Sequence, residues 1–202
     1  PLIQFCPTVR PLPITICPVS RAVQQTPHQQ PLQETRTDPL LAAPRLEPAR
    51  LTDADQHLRE SLRELSSVVI AFSGGVDSAL LAYVALKSLG ADRVLAVTAD
   101  SDSLADGELD HCRSTAAAWG LPWRSVQTRE IENPDYRINS SDRCYWCKTA
   151  LMDALAPIAE ERRAAVVLGV NLDDLGDHRP GQKAAQERGA VFPLVQAGLD
   201  KQ

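Results

Sequence analysis

The hexapeptide SGGVDS at 73–78 constrains this chain more than any other feature, because of what stands on either side of it. Before it, SVVIAF (67–72) is a short, apolar, β-branched run that reads as a buried strand. After it, DSALLAYVALKSLG reads as a helix that Gly90 ends. A strand that turns through two glycines into a helix makes an anion cradle. Gly74 and Gly75 allow a tight turn and close approach by a ligand, while the helix start offers unpaired N–H groups and its positive dipole end. A pyrophosphate fits there, and the whole hexapeptide, Val76 included, is assigned to nucleotide binding. Ser73 and Ser78 bring hydroxyls for phosphate oxygens, and Asp77 serves either as a helix cap or as a ligand of Mg²⁺. No GxxxxGK[ST] motif occurs, which argues against kinase-like γ-phosphate chemistry. SGG alone is an ordinary turn with a cap; the full hexapeptide between strand and long helix is far more specific.

The strand-turn-helix theme repeats. RVLAVTAD (93–100) reads as a second strand, ELDHCRSTAAAWG as a helix, WRSVQT as an edge-like strand, Cys147 to about Arg163 as a helix, and AAVVLGVN (164–171) as another strand. Upstream, LTDADQHLRESLRELSS reads as an amphipathic helix from Leu51, capped by Thr52 or Asp53. Alternating strands and helices predict an α/β fold: a parallel sheet with helices on both faces. Ligands of such sheets bind at the carboxyl ends of strands, where SGGVDS and GVNLDD both fall, so Gly169 joins the nucleotide set. Val97, Thr98 and Ala99 stand at the second strand end, where a buried strand offers its last peptide groups to a ligand.

Composition limits the function classes. The net charge of -5 and sequence pI near 5.4 supply no positive field for a phosphate backbone, which argues against nucleic acid. No apolar run approaches the roughly 20 residues of a membrane-spanning helix, so a soluble protein is expected. Residues 1–50 hold ten of the 15 prolines, one aromatic residue and no regular periodicity. They are expected to be disordered, and their proline-broken apolar residues do not make a secretory signal. Because the chain begins at Pro1, a fragment or an extension outside the working protein is expected, with the folded domain at 51–202.

Five cysteines are present, and Cys144 and Cys147 form a CxxC pair that suggests metal or redox chemistry and a reducing cytoplasm. Arg143 and Lys148 flank the pair, and their charges are expected to lower the thiol pKa values. Two cysteines do not complete a metal site; His111 and Cys112 are candidates to join them, although Cys112 reads by default as a packed small side chain. Further on, GVNLDDLGDHRPGQKAA gathers Asp173, Asp174, Asp177, His178 and Arg179. The acidic residues, Asp173 and Asp174 above all, are candidates for Mg²⁺, and Arg179 for a phosphate or a substrate carboxylate. A solvated, helix-capping loop explains any one of them equally well.

SGGVDS in this setting resembles the PP-loop of N-type ATP pyrophosphatases, a group with GMP synthetase, NAD synthetase and tRNA-thiolating enzymes. That resemblance implies cleavage of ATP to AMP and pyrophosphate through an adenylylated substrate. Together, SGGVDS, NPDYRINSSDRCYWCK, GVNLDDLGDHRPG and PLVQAGLDKQ resemble the LarE family of ATP-dependent sacrificial sulfur transferases, from about Leu51 to Gln202. The family resemblance implies adenylylation of a carboxylate of pyridinium-3,5-biscarboxylic acid mononucleotide and insertion of sulfur, making the organic part of the nickel-pincer cofactor of lactate racemase. It implies ATP and Mg²⁺ and a homo-oligomer, with the family's substrate-gripping arginines and acidic metal ligands beyond Gln202; Arg143 and Arg179 are this chain's own candidates for substrate or phosphate. Some members sacrifice the sulfur of a cysteine; others carry three cysteines suited to an iron–sulfur cluster, of which Cys144 and Cys147 match two. The family's remaining cysteine, in an ACLSSR-like segment, falls beyond Gln202, so a C-terminally truncated member is expected. A tRNA thiolase, a nucleotide-binding module without turnover, and a metal protein centred on the cysteine pair are the alternatives.

Overall fold

The structure, a computed structural model, describes residues 48–138, 141–175 and 179–201, with side chains from residue 51 onward. The disorder expected of 1–50 lies outside the described residues up to 47. The folded part begins three residues earlier than the sequence pattern placed it, because helix α1 spans Pro48–Glu64. Proline suits a first helical position, and this start leaves Thr52 and Asp53 inside the helix instead of at its cap.

After α1 the chain runs through β1 (Val68–Ala71), α2 (Val76–Leu89), β2 (Val94–Asp100), α3 (Glu108–Trp119) and β3 (Trp123–Gln127). It continues with α4 (Pro134–Arg137), α5 (Arg143–Arg162), β4 (Ala165–Leu168), α6 (Pro180–Glu187) and α7 (Pro193–Gln196). The four strands pair in parallel in the order β3-β2-β1-β4. Register places Ile70 between Ala96 and Val167, so the apolar run at the centre of the sheet is enclosed on both edges.

The period of two along β1 divides its side chains between two cores. Val68 and Ile70 pack with Leu58 and Leu62 of α1, Leu81 and Ala85 of α2 and Leu194 of α7. Val69 faces Met152, Leu155 and Ile158 of α5 and Ala185 of α6. Helices thus cover both faces, as the alternation predicts. The edge strand β3 is the exception to continuous apolarity: in WRSVQ only Trp123 and Val126 are half-buried and the rest are exposed, which suits an edge.

Strand order decides where a ligand can sit. From β1 the chain steps outward to β2 and then β3, but it returns through α5 to lay β4 on the other side of β1. This reversal opens a crevice at the carboxyl ends of β1 and β4, the usual ligand position in sheets of this kind.

Candidate functional site

A cavity of about 250 Å³ occupies that crevice. Its walls come from Ala71 and Phe72 at the end of β1, from Val97, Thr98 and Ala99 of β2, and from Leu168, Gly169 and Val170 at the end of β4. Ser73, Gly75, Val76, Asp77 and Ser78 complete it from the glycine turn.

The turn owes its shape to contacts that no single residue type announces. A Cβ on Gly169 would fall 2.7 Å from the Ser78 nitrogen and 2.8 Å from the Asp77 carbonyl carbon, so the end of β4 touches the backbone of α2 directly. Gly74 has φ +74°, and a Cβ there would lie 3.0 Å from both His111 Cδ2 and Cys112 Sγ. Its close approach is therefore to α3, beneath the turn, whereas the sequence pattern assigned that approach to a ligand. Cys112 is buried, as its default reading held.

Ser78 is 6 % exposed, and its hydroxyl donates to the Gly75 carbonyl (3.0 Å), lies 3.1 Å from Ser73 Oγ and accepts from the Ser73 amide (3.3 Å). Ser73 Oγ in turn accepts from the Gly75 amide at 3.4 Å. The hydroxyls expected on phosphate thus brace the turn itself. Gly75 is the N-cap of α2 and no side chain caps the helix, so the capping alternative for Asp77 is not realised. Asp77 instead lines the cavity, where a carboxylate fits a phosphate-bound Mg²⁺. The Thr98 hydroxyl is also committed: it donates to the Phe72 carbonyl (2.7 Å) and accepts from Trp123 Nε1 (2.9 Å).

Helix α5 begins at Arg143, four residues before the start read from the sequence, and so carries the cysteine pair on its first turns. Cys144 is exposed and Cys147 half-buried. Neither lines the cavity; Lys148 and Leu151 of the same helix do, with Leu104 from the loop after β2. Burial, and next the charge of Glu130, push the Cys147 thiol above its ordinary value, outweighing Lys148 and Arg143. The lowering expected from those two cations is therefore corrected for Cys147: they act across a protein–water boundary that screens them, while burial acts on the thiol itself. Arg143 Nη2 donates to Tyr136 Oη at 2.7 Å, with the guanidinium 4.6 Å from the ring centroid.

The acidic strand end is likewise engaged. Asp174 Oδ1 meets Arg179 at 3.0 Å and Lys201 Nζ at 3.3 Å, while Oδ2 accepts from the Asn171 amide. Asp173 Oδ2 accepts from the Lys201 amide at 2.8 Å. Neither lines the cavity, and Asp174 is already answered by two cations, Arg179 and Lys201. Arg179 correspondingly answers Asp174. Asp177 and His178 lie outside the described residues. Among those described, no three His, Cys, Asp or Glu side chains come together, so His111 and Cys112 do not join the pair as metal ligands.

Residues 51–142 match the NAD synthase family model. The chain is 35% identical over 154 residues to the pyridinium-3,5-bisthiocarboxylic acid mononucleotide synthase of Lactiplantibacillus plantarum, covering 76% of this chain and 56% of that protein. The chain is a LarE-family PP-loop protein. An uncharacterized protein of Synechocystis sp. is 45% identical over 147 residues, 72% of this chain and 54% of its own length. This LarE-family chain thus spans about half the length of the curated relatives it matches. Among solved structures, the NMN synthetase of Francisella tularensis superposes with a TM-score of 0.56 at 18% identity, covering 72% of this chain and 67% of that one. That likeness speaks to the fold.

Sequence reasoning missed Leu104, Lys148 and Leu151 as cavity residues of this LarE-family chain. A signal for two of them existed: residues three apart on a helix share a face, so starting α5 at Arg143 sets Lys148 and Leu151 on the side turned to the glycine loop. Lys148 had been read only as a neighbour of the thiols.

Proposed function

We propose that residues 51–202 form the ATP-pyrophosphatase part of a sulfur transferase acting on pyridinium-3,5-biscarboxylic acid mononucleotide, in making the nickel-pincer cofactor. In this reading a substrate carboxylate oxygen attacks the α-phosphorus of ATP, pyrophosphate leaves, and a sulfur nucleophile then displaces AMP from the acyl adenylate. The observation that carries it is the course of α5, which brings Lys148 and Leu151 into the glycine-turn cavity one residue and four residues after Cys147. One helix thereby joins the nucleotide site to the cysteine pair.

The roles follow from placement. Amides at the start of α2 and the Lys148 ammonium receive the phosphate charge, and Gly169 gives the backbone room. Mg²⁺ would offset phosphate charge beside Asp77, which faces the cavity. Cys144, exposed on the first turn of α5, is the accessible thiol, and Cys147 is its half-buried partner. The described residues do not complete an iron–sulfur ligand set, and the reading runs through the thiols alone. The acidic balance favours a small mononucleotide over nucleic acid, and among the described residues no helix is long and apolar enough to cross a membrane.

The experiment is anaerobic incubation with Mg-ATP, with and without the pyridinium biscarboxylate mononucleotide, quantifying AMP, ADP and pyrophosphate. Substrate-dependent AMP and pyrophosphate support the reading, and ADP with inorganic phosphate overturns it. A second reading is a nucleotide-binding module without turnover, in which the cavity beside the glycine turn holds ATP. ATP binding with no product of any kind supports that reading instead.

A further inference from the structure

Glu130 opens the short 3-10 turn Glu130–Glu132 after the edge strand and is 4 % exposed. Its Oε1 accepts from Ser103 Oγ at 2.8 Å, and Ser103 in turn lies 3.0 Å, hydroxyl to hydroxyl, from Ser101. Oε2 is buried with no hydrogen-bond partner among the described residues, and so is the hydroxyl of Thr128. Burial acts to raise the Glu130 carboxyl, but hydrogen bonds led by that of Ser103 outweigh it and hold the group below its ordinary value, hence ionised. The Glu130 backbone, Thr128 and Ser101 add to that lowering after Ser103, so the donors around the carboxylate are arranged for its charged form, and glutamate is seldom found so deep without a task.

What this carboxylate holds is the segment 101–107 between β2 and α3. Ser103 is exposed and sits on that segment; Leu104, the next residue, walls the nucleotide cavity. Asp106, Gly107 and Glu108 then line a shallow depression with Ser73, Gly74 and Gly75 on the other side of the glycine turn. One hydrogen bond from a buried anchor therefore fixes a segment that borders the turn on two sides. On the same side of the fold, Glu130 is also a charged neighbour of Cys147.

We propose that Glu130 is a positioning residue of the nucleotide site: through Ser103 it holds the loop after β2 against the cavity in the shape that ATP needs. The inference rests on the reading of that cavity as the ATP site. It predicts a role for Ser103, an exposed residue that an inspection of the cavity walls alone would pass over.

The test combines two measurements on the full chain: hydrogen exchange of the amides at 102–106 without nucleotide, and calorimetric binding of Mg-ATP. Removing a hydrogen bond to a charged acceptor is expected to weaken Mg-ATP binding about tenfold in Ser103→Ala and in Glu130→Ala, about 1.4 kcal/mol. Exchange at 102–106 rises in both. Their double variant loses no more than the worse single one, because the two changes delete one bond. Glu130→Gln keeps a carbonyl oxygen for Ser103 and stays near wild type. Ser103→Ala, an exposed change, keeps the test decisive where Glu130→Ala does not fold. Unchanged exchange in Ser103→Ala overturns the proposal, and so does faster exchange with unchanged ATP affinity. Wild-type protein that binds no Mg-ATP defeats the nucleotide-site reading and this inference with it, a failure visible before any variant is compared.

Discussion

Gly169 and Ser78 meet backbone to backbone: a Cβ on the first would stand 2.7 Å from the nitrogen of the second. This contact ties the end of β4 to the start of α2 and sets the width of the crevice between them. The same Ser78 braces the glycine turn through its hydroxyl, so one residue joins both halves of the cradle.

Gly169→Ala is the first test of that relationship. The added methyl meets backbone, which cannot rotate away, and forcing such overpacking costs about 1–3 kcal/mol. The expected result is a lowered denaturant midpoint together with Mg-ATP binding reduced at least tenfold, the latter beyond what the stability loss explains. A variant that binds Mg-ATP like the wild type would show that the crevice tolerates widening.

Thr98→Val removes the hydroxyl shared by Phe72 and Trp123 while keeping the shape of the side chain. Trp123 Nε1 then loses its partner and the Phe72 carbonyl keeps only the weak Cys112 thiol at 4.0 Å, and leaving buried polar groups under-satisfied costs about 1–3 kcal/mol. Urea unfolding followed by tryptophan fluorescence measures it. No change in midpoint would mean that water satisfies both groups.

For Cys147, burial and the nearby Glu130 charge place the thiol above its ordinary 9.0. The folded state favours the protonated form, so the stability this contributes is complete below the unfolded value and is lost as pH rises through the raised folded value. In a Cys144→Ser background, alkylation of Cys147 by iodoacetamide should reach half its maximal rate above pH 9.0, and unfolded protein should react faster at the same pH. A midpoint below that of a free thiol would restore the influence first assigned to Arg143 and Lys148.

Glu130 carries the opposite sign. Its carboxyl is held below the ordinary 4.5, so its contribution to stability is present above that value and is lost as pH falls through the depressed folded value. Glu130→Gln should therefore flatten the acid limb of the stability profile, lying below wild type at neutral pH and converging with it as the wild-type carboxyl protonates. Parallel acid limbs for the two proteins would contradict it.

Asp174 joins Arg179 and Lys201 at the acidic strand end. Because both cations are about half exposed, Asp174→Asn should cost only about 1 kcal/mol, and the Mg²⁺ concentration that supports half-maximal ATP binding should stay as it was. A strong shift in that concentration would return Asp174 to the metal site.

The local alternation of apolar runs and helical periods was enough to expect four parallel strands and the helices between them, since each element announces itself over a few residues. SGGVDS likewise announced the tight turn between β1 and α2, because only a particular backbone accommodates two glycines between a buried strand and a helix. What stayed hidden depended on distance along the chain. Leu104 comes from the loop after β2 and Lys148 and Leu151 from α5, and they share one cavity with the glycine turn only because β4 returns beside β1. That Lys201, 27 residues later, stands beside Asp174 was equally hidden from the acidic run around it. The cations near Cys147 looked decisive until burial, a property of the packed molecule and of no sequence window, proved the larger effect. Sequence determined which elements form and which turn can hold an anion; tertiary structure decided which charges are already answered and which side chains reach the cavity, because burial and long-range pairing exist only once the sheet has closed.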